Sequence, residues 1–75
     1  MVSNIDQYAI DRIREMRKER KWSQLALANE LGMSAGFIGK VESPKYKSHY
    51  NLNHLNRLSQ IFHCSPKDFL PDVPL

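Results

Sequence analysis

The run Gln24-Leu-Ala-Leu-Ala-Asn-Glu-Leu-Gly-Met-Ser-Ala-Gly-Phe-Ile-Gly-Lys-Val41 holds the architecture of this chain. Leu27 and Leu31 lie four residues apart, one helical turn, and Ile38 and Val41 lie three apart, so each pair marks the apolar face of a short helix. Gly32 stands between the two faces, where a chain leaving a helix turns through a left-handed backbone that glycine reaches without steric penalty. Met33 fills the turn. Ala28 sits where two steeply crossing helices come closest, and only a small side chain fits there.

Each helix start carries the same local rule. A helix leaves its first backbone N–H groups unpaired, so a Ser, Thr, Asn or Asp side chain is favoured at the cap. An apolar residue just before the cap packs on one in the second turn. Trp22-Ser23 with Leu27 and Met33-Ser34 with Ile38 obey this spacing, and so do Tyr50-Asn51 with Leu55 and Cys64-Ser65 with Phe69. Pro66 follows the last cap at the first helical position, and Asp68 is placed to complete a capping box. Ahead of these lies a longer helix over Asn4 to Arg20, with Ile5, Ala9, Ile13 and Met16 at helical spacing. The later helices span Gln24 to Leu31, Ala35 to Glu42, Leu52 to Phe62 and Pro66 to Leu70. No strand-like alternation interrupts them. The expected fold is all-α, five short helices around one core, with residues 1–70 as one domain and 71–75 as a tail holding two prolines. A tight glycine turn joining two short helices is the helix-turn-helix arrangement, whose second helix enters the major groove of DNA.

The chain resembles the Cro and phage-repressor family, also called the XRE family. Arg17, Ser23, Gln24, Leu27, Ala28, Leu31, Gly32, Met33, Ser34, Ile38, Val41 and Glu42 carry the resemblance. Leu52, Leu55, Leu58 and Phe62 resemble the family's fourth helix, and Cys64, Ser65 and Phe69 its fifth. The likeness runs from Ala9 to Leu70 and implies a lambda-repressor-like helix-turn-helix domain. It further implies that Gln24 contacts a phosphate and that Arg17 and Glu42 form a largely buried ion pair between the first and third helices. The partner implied is double-stranded DNA, read as a palindrome by a homodimer with half-sites about 34–36 Å apart.

The expected DNA contacts are Ser23, Gln24, Ser34, Ala35, Gly36, Phe37, Lys40, Lys45 and Lys47. The reading helix departs from the family pattern, because Ala35, Gly36, Phe37, Gly39 and Lys40 stand where relatives commonly present polar side chains. Ala35 and Phe37 suit thymine methyl groups, and Lys40 suits guanine O6 and N7 or a phosphate. Gly36 and Gly39 each cost about 1 kcal/mol against alanine in a helix, which leaves room for close approach of DNA or of another helix. The loop Ser43 to Tyr50 carries Lys45 and Lys47 interleaved with Tyr46, His49 and Tyr50. These are either phosphate ligands or a solvated loop kept soluble by lysines. In the first helix Asp11, Glu15 and Glu19 are interspersed among the basic residues, so that face reads as solvated, with Arg20 and Lys21 at the edge of the DNA backbone near Gln24.

Bulk properties bound the alternatives. The chain has 75 residues, 41% hydrophobic and 25% charged, with net charge +3 and mean hydropathy −0.54. One such domain has little room for a substrate cleft besides its core. No apolar run nears the ~18 residues of a membrane span, and Met1 to Asp11 lacks a signal-peptide stretch. The single cysteine, Cys64, reads as a small core hydrophobe suited to a reducing cytoplasm. His49, His54, His63 and Cys64 match no zinc spacing, so no metal or cofactor is expected, and no small-molecule ligand. No nucleophile has a base placed by motif, which argues against an enzyme. A transcriptional repressor is the leading expectation. A protein-interaction module, or an antitoxin or controller component with weak base readout, stands beside it. Candidate dimer surfaces are Phe69 to Leu75 and the fourth helix near Asn56 and Gln60.

Overall fold

The computed structural model describes residues 2–75, so Met1, the first residue of the expected 1–70 domain, lies outside the described residues. Helix α1 spans Asn4–Glu19, α2 Gln24–Leu31, α3 Ala35–Glu42 and α4 Leu52–Phe62, followed by a 3-10 turn over Pro66–Phe69. Every expected cap is made by the expected side chain. Ser23 accepts from the Ala26 N–H, Ser34 from Phe37 and Asn51 from His54. Ser65 accepts from Lys67, and Asp68 accepts the Ser65 N–H to close its box.

The fifth element corrects the expectation of a fifth α-helix. Leu70 precedes Pro71, whose ring disfavours helical backbone at the residue before it, and Leu70 is extended at φ −118° and ψ 153°. The helix therefore stops after one tight turn. That turn still does its packing work. Ile13 of α1, Leu27 of α2, Ile38 of α3, Leu58 of α4 and Phe69 of the 3-10 turn are each 0% exposed, so every element sends at least one fully buried side chain to a common centre. Burying such a side chain is worth about 1.5–3 kcal/mol, and the domain stands on this shared core.

The apolar stripe of α1 also differs from the expected one. Its buried residues are Ala9, Ile10, Ile13 and Arg17, while Ile5 is 43% exposed and Met16 only packs at the margin. Taking Ile5 as an anchor rotated the expected face by a fraction of a turn and missed Ile10.

Three helices end in the same way, although only one of them does so with glycine. Gly32 lies at φ +76°, its N–H bonded to the Asn29 carbonyl, while the Met33 N–H reaches Ala28 at 2.9 Å. This paired closure satisfies carbonyls that the helix leaves open. Lys21 at φ 59° closes α1 the same way, with Trp22 N–H to Arg17 at 3.1 Å, and His63 at φ 55° precedes a Cys64 N–H to Ser59 bond at 2.9 Å.

Candidate nucleic-acid interface

Helix α3 turns Ile38 and Val41 into the core and leaves Gly36 and Lys40 exposed, four residues apart on one outward face. Ala35, Phe37 and Gly39 flank that face and are half-buried. The face thus offers backbone, one lysine and little else. A Cβ built on Gly36 would meet only the Ser34 hydroxyl at 3.8 Å, and one on Gly39 would meet Gln24 Oε1 at 3.4 Å. Both are ordinary contact distances to polar side-chain atoms, so nothing inside the molecule requires glycine at either position, although Gly39 is the more closely approached.

The expected contact residues divide into exposed and engaged groups. Ser23, Ser34, Gly36, Lys40, Lys45 and Lys47 are exposed. Phe37 is anchored on its inner side, its ring 5.2 Å from His54 and 6.1 Å from Tyr50 between centroids. Gln24 is half-buried and donates from Nε2 to Glu42 Oε1 at 3.2 Å, so its amide is held by the protein. Lys45 and Tyr46 are set by a turn in which the Ser43 hydroxyl accepts the Lys45 N–H and the Ser43 carbonyl accepts that of Tyr46. The Lys40 ammonium sits 5.7 Å above the Tyr46 ring centroid.

Glu42 is the hub behind this face. Its side chain is 4% exposed and binds Arg17 through two hydrogen bonds, Nε to Oε2 at 2.9 Å and Nη2 to Oε1 at 2.8 Å. Arg17 also donates from Nη1 to the Trp22 carbonyl at 2.6 Å. Arg14 Nε stands 3.6 Å from the same carboxylate. One acidic side chain thereby ties α1 and α2 to the last turn of α3. Its charge is spent on guanidinium and amide groups inside the protein, where it presents no repulsion to a polyanion.

Four expectations about basic and aromatic residues are corrected here. Tyr50 is 5% exposed and packs in the core, so it is not a surface phenol beside the loop lysines. Its position before the Asn51 cap makes it the apolar partner of Leu55, and that demand prevails. Its hydroxyl is the buried side-chain polar atom without a partner among the described residues. Burial first, and the nearby Glu42 carboxylate second, push its ionisation well above the ordinary phenol range, with Arg17 opposing. Arg20, expected at the edge of the DNA backbone, is engaged within the protein. Its guanidinium lies 5.1 Å over Trp22 and 5.0 Å over Phe62, and it donates to the Phe62 carbonyl at 3.0 Å, holding the end of α4. A cation two residues before the Trp22 staple was the available signal for this cap. The α1 face is also less solvated than expected, since Arg12 reaches the Asp68 carbonyl at 3.4 Å as well as Glu15. Phe69, named above in a dimer surface, is fully buried, while Val73 and Leu75 remain exposed.

Among the described residues no group of His, Cys, Asp and Glu is arranged to hold a metal. No described helix is long and apolar enough to cross a membrane.

Residues 10–72 match the family model of a helix-turn-helix domain. Among solved structures the chain is similar to the P22 c2 repressor protein, determined in complex with a synthetic operator, at 32% identity and TM-score 0.68 over 87% of this chain and 96% of that one. SinR, described as the master regulator for biofilm formation and determined in complex with DNA, is similar at 21% identity and TM-score 0.68 over 81% and 95%. Hydroxypropylphosphonic acid epoxidase from S. wedmorenis is similar at 19% identity and TM-score 0.75 over 92% of this chain. This chain spans only 36% of the epoxidase, and at that identity the likeness shows the fold alone. No curated protein matches the sequence.

Proposed function

The chain belongs to the helix-turn-helix domain family, of the Cro and repressor (XRE) type, and from that premise we propose a DNA-binding transcriptional regulator, a repressor acting as a homodimer on a palindromic operator. The observation that carries the reading is the near full-length likeness to a repressor determined on its operator, joined to an α3 whose outward face is free of acidic groups. Residues 1–70 form the DNA-binding domain and 71–75 its tail. Helix α3 enters the major groove.

Ser23 and Ser34 accept from their own helices and keep the hydroxyl hydrogen for a phosphate oxygen. The Gln24 amide nitrogen has a second hydrogen besides the one given to Glu42, and it serves the same backbone. Ala35 and the free edge of Phe37 meet thymine methyl groups, and Gly36 lets the duplex approach the helix closely. Lys40, Lys45 and Lys47 supply positive charge, each neutralised phosphate steepening the salt dependence by about 0.9 in log–log slope. One short reading helix buries little surface, which is why two protomers are invoked. The exposed Val73 and Leu75 and the α4 face at Asn56 and Gln60 are the candidate contacts between them. The regulator acts in the cytoplasm and without catalytic activity of its own.

Selection from a randomised duplex pool at two salt concentrations tests this reading. Enrichment of a short palindrome is expected, and absence of binding at the lower salt would overturn it. Lys40→Ala then assigns the lysine. A loss concentrated at one base pair, about 1–3 kcal/mol, marks base readout, and a uniform loss with a shallower salt slope marks a phosphate contact. A chain strictly monomeric at micromolar concentration, with and without DNA, would remove the dimer. The side-chain-poor face at Gly36 favours a second reading, an antitoxin or controller component, or an interaction module, with weak base selectivity. Salt-sensitive binding without an enriched sequence would point there.

A further inference from the structure

Lys40 carries the charge of the outward α3 face, and no carboxylate among the described residues pairs with it. A lysine stem has four rotatable carbons, and immobilising such a side chain on binding costs about 0.5–1.5 kcal/mol. In this structure the ammonium is already placed. It stands 5.7 Å from the Tyr46 ring centroid, within the reach at which a ring face attracts a cation. Tyr46 is itself placed by the turn after α3, through its N–H bond to the Ser43 carbonyl at 3.4 Å, and Ser43 caps α3 by its own N–H to Lys40. The backbone that carries the ring is therefore held close to the residue whose ammonium the ring meets. Its face is half-exposed, so the ammonium keeps its other side, and its N–H donors, toward solvent.

We infer that Tyr46 is a positioning residue for DNA binding, whose ring holds the Lys40 ammonium on the outward side of α3 so that the cation meets the duplex already oriented. The inference rests on the DNA-binding reading above. It assigns the effect to the ring and not to the phenol hydroxyl, which separates it from the alternative in which Tyr46 itself donates to a phosphate.

The test measures binding of the full chain to the duplex enriched by selection, using Tyr46→Phe, Tyr46→Leu, Lys40→Ala and the Lys40→Ala/Tyr46→Leu double variant, each checked for helix content and melting temperature. Tyr46→Phe keeps the ring and is expected within a factor of about 1.5 of the parent, while Tyr46→Leu weakens binding about threefold, as loss of an exposed cation–ring contact implies. The double variant is expected to bind no more weakly than Lys40→Ala alone, because the ring acts through the lysine. Equal weakening by Phe and Leu would assign the hydroxyl and overturn the inference. So would a folded Tyr46→Leu with parental affinity, or losses that multiply in the double variant. A parent chain that binds no duplex overturns the proposed function and this inference with it, an outcome distinct from parental binding that Tyr46→Leu leaves unchanged.

Discussion

Arg17 closes on Glu42 through two hydrogen bonds, at 2.9 and 2.8 Å, across a contact in which the two side chains are 9% and 4% exposed. The pairing joins the last turn of α1 to the last turn of α3, so the orientation of the outward face depends on it. Desolvating both charges is expensive, and the arrangement stands because both carboxylate oxygens and all three guanidinium nitrogens have a partner. Removing one half leaves the other buried without compensation. Arg17→Met is expected to cost about 3–5 kcal/mol, and replacing both by apolar residues of similar volume is expected to cost far less. Denaturant unfolding of the single and double variants checks this. A double variant as unstable as the single would show that the pair contributes more than mutual neutralisation.

The glycines of the turn and of α3 have opposite expected responses. Gly32 lies at φ +76°, where a side chain collides with the following carbonyl, so Gly32→Ala is expected to lower stability by about 1–2 kcal/mol. Gly36 has ordinary helical backbone and open space around a new Cβ. Gly36→Ala is expected to raise stability by about 0.5–1 kcal/mol, mostly by restricting the unfolded chain. Thermal melts of both variants decide the point, and a destabilised Gly36→Ala would mean that α3 is not a regular helix there.

Much of this fold was legible because its signals are local. The caps Ser23, Ser34, Asn51 and Ser65 and the apolar residues around them depend on neighbours within five positions, and all four are made. Where contacts span the chain, the sequence reads poorly. Arg20 and Phe62, or Arg12 and Asp68, are more than 40 residues apart, and nothing in the spacing brings them together. The helix ends at Lys21 and His63 were equally silent, since non-glycine residues there adopt a left-handed backbone only because the packed helices on either side demand it. On the candidate face the residue types were readable but their engagement was not. The tie from Gln24 to Glu42, and the packing of Phe37 on Tyr50 and His54, are tertiary facts.

Arg20 caps the end of α4, where His63 stands in the left-handed position that glycine usually takes. Its guanidinium bridges Trp22 and Phe62, whose rings are 5.7 Å apart, and donates to the last carbonyls of the helix. Arg20→Ala is expected to cost about 1 kcal/mol, the value of an exposed cation–ring contact together with a C-terminal helix cap. Arg20→Lys recovers only part, since an ammonium lacks the planar fork that stacks and donates at once. The loss should appear together with a change in Trp22 fluorescence in the folded state. An unchanged melting temperature in Arg20→Ala would show the contact to be incidental.

His54 gives the domain a pH dependence whose sign follows from its geometry. Its Nδ1 accepts the Asn51 N–H at 3.0 Å, completing the capping box of α4, while its ring packs between Phe37 and Tyr50. Acceptance at Nδ1 requires the neutral ring, and burial first, with the nearby His49 second, holds its pKa below the ordinary value of 6.5. The unfolded chain therefore binds a proton more readily than the folded one just below that value. Stability contributed by neutral His54 is fully present above about pH 6.5 and is lost as the pH falls from there toward the lower folded value. The consequence reaches the reading helix, because a charged His54 surrenders the cap and disturbs the ring on which Phe37 rests. His54→Gln supplies a non-titrating acceptor at the same capping position, so its stability should change less between pH 7.5 and 5.5 than that of the parent chain. Parallel urea titrations at the two pH values measure the difference, and identical pH dependence in parent and variant would assign the effect to other groups.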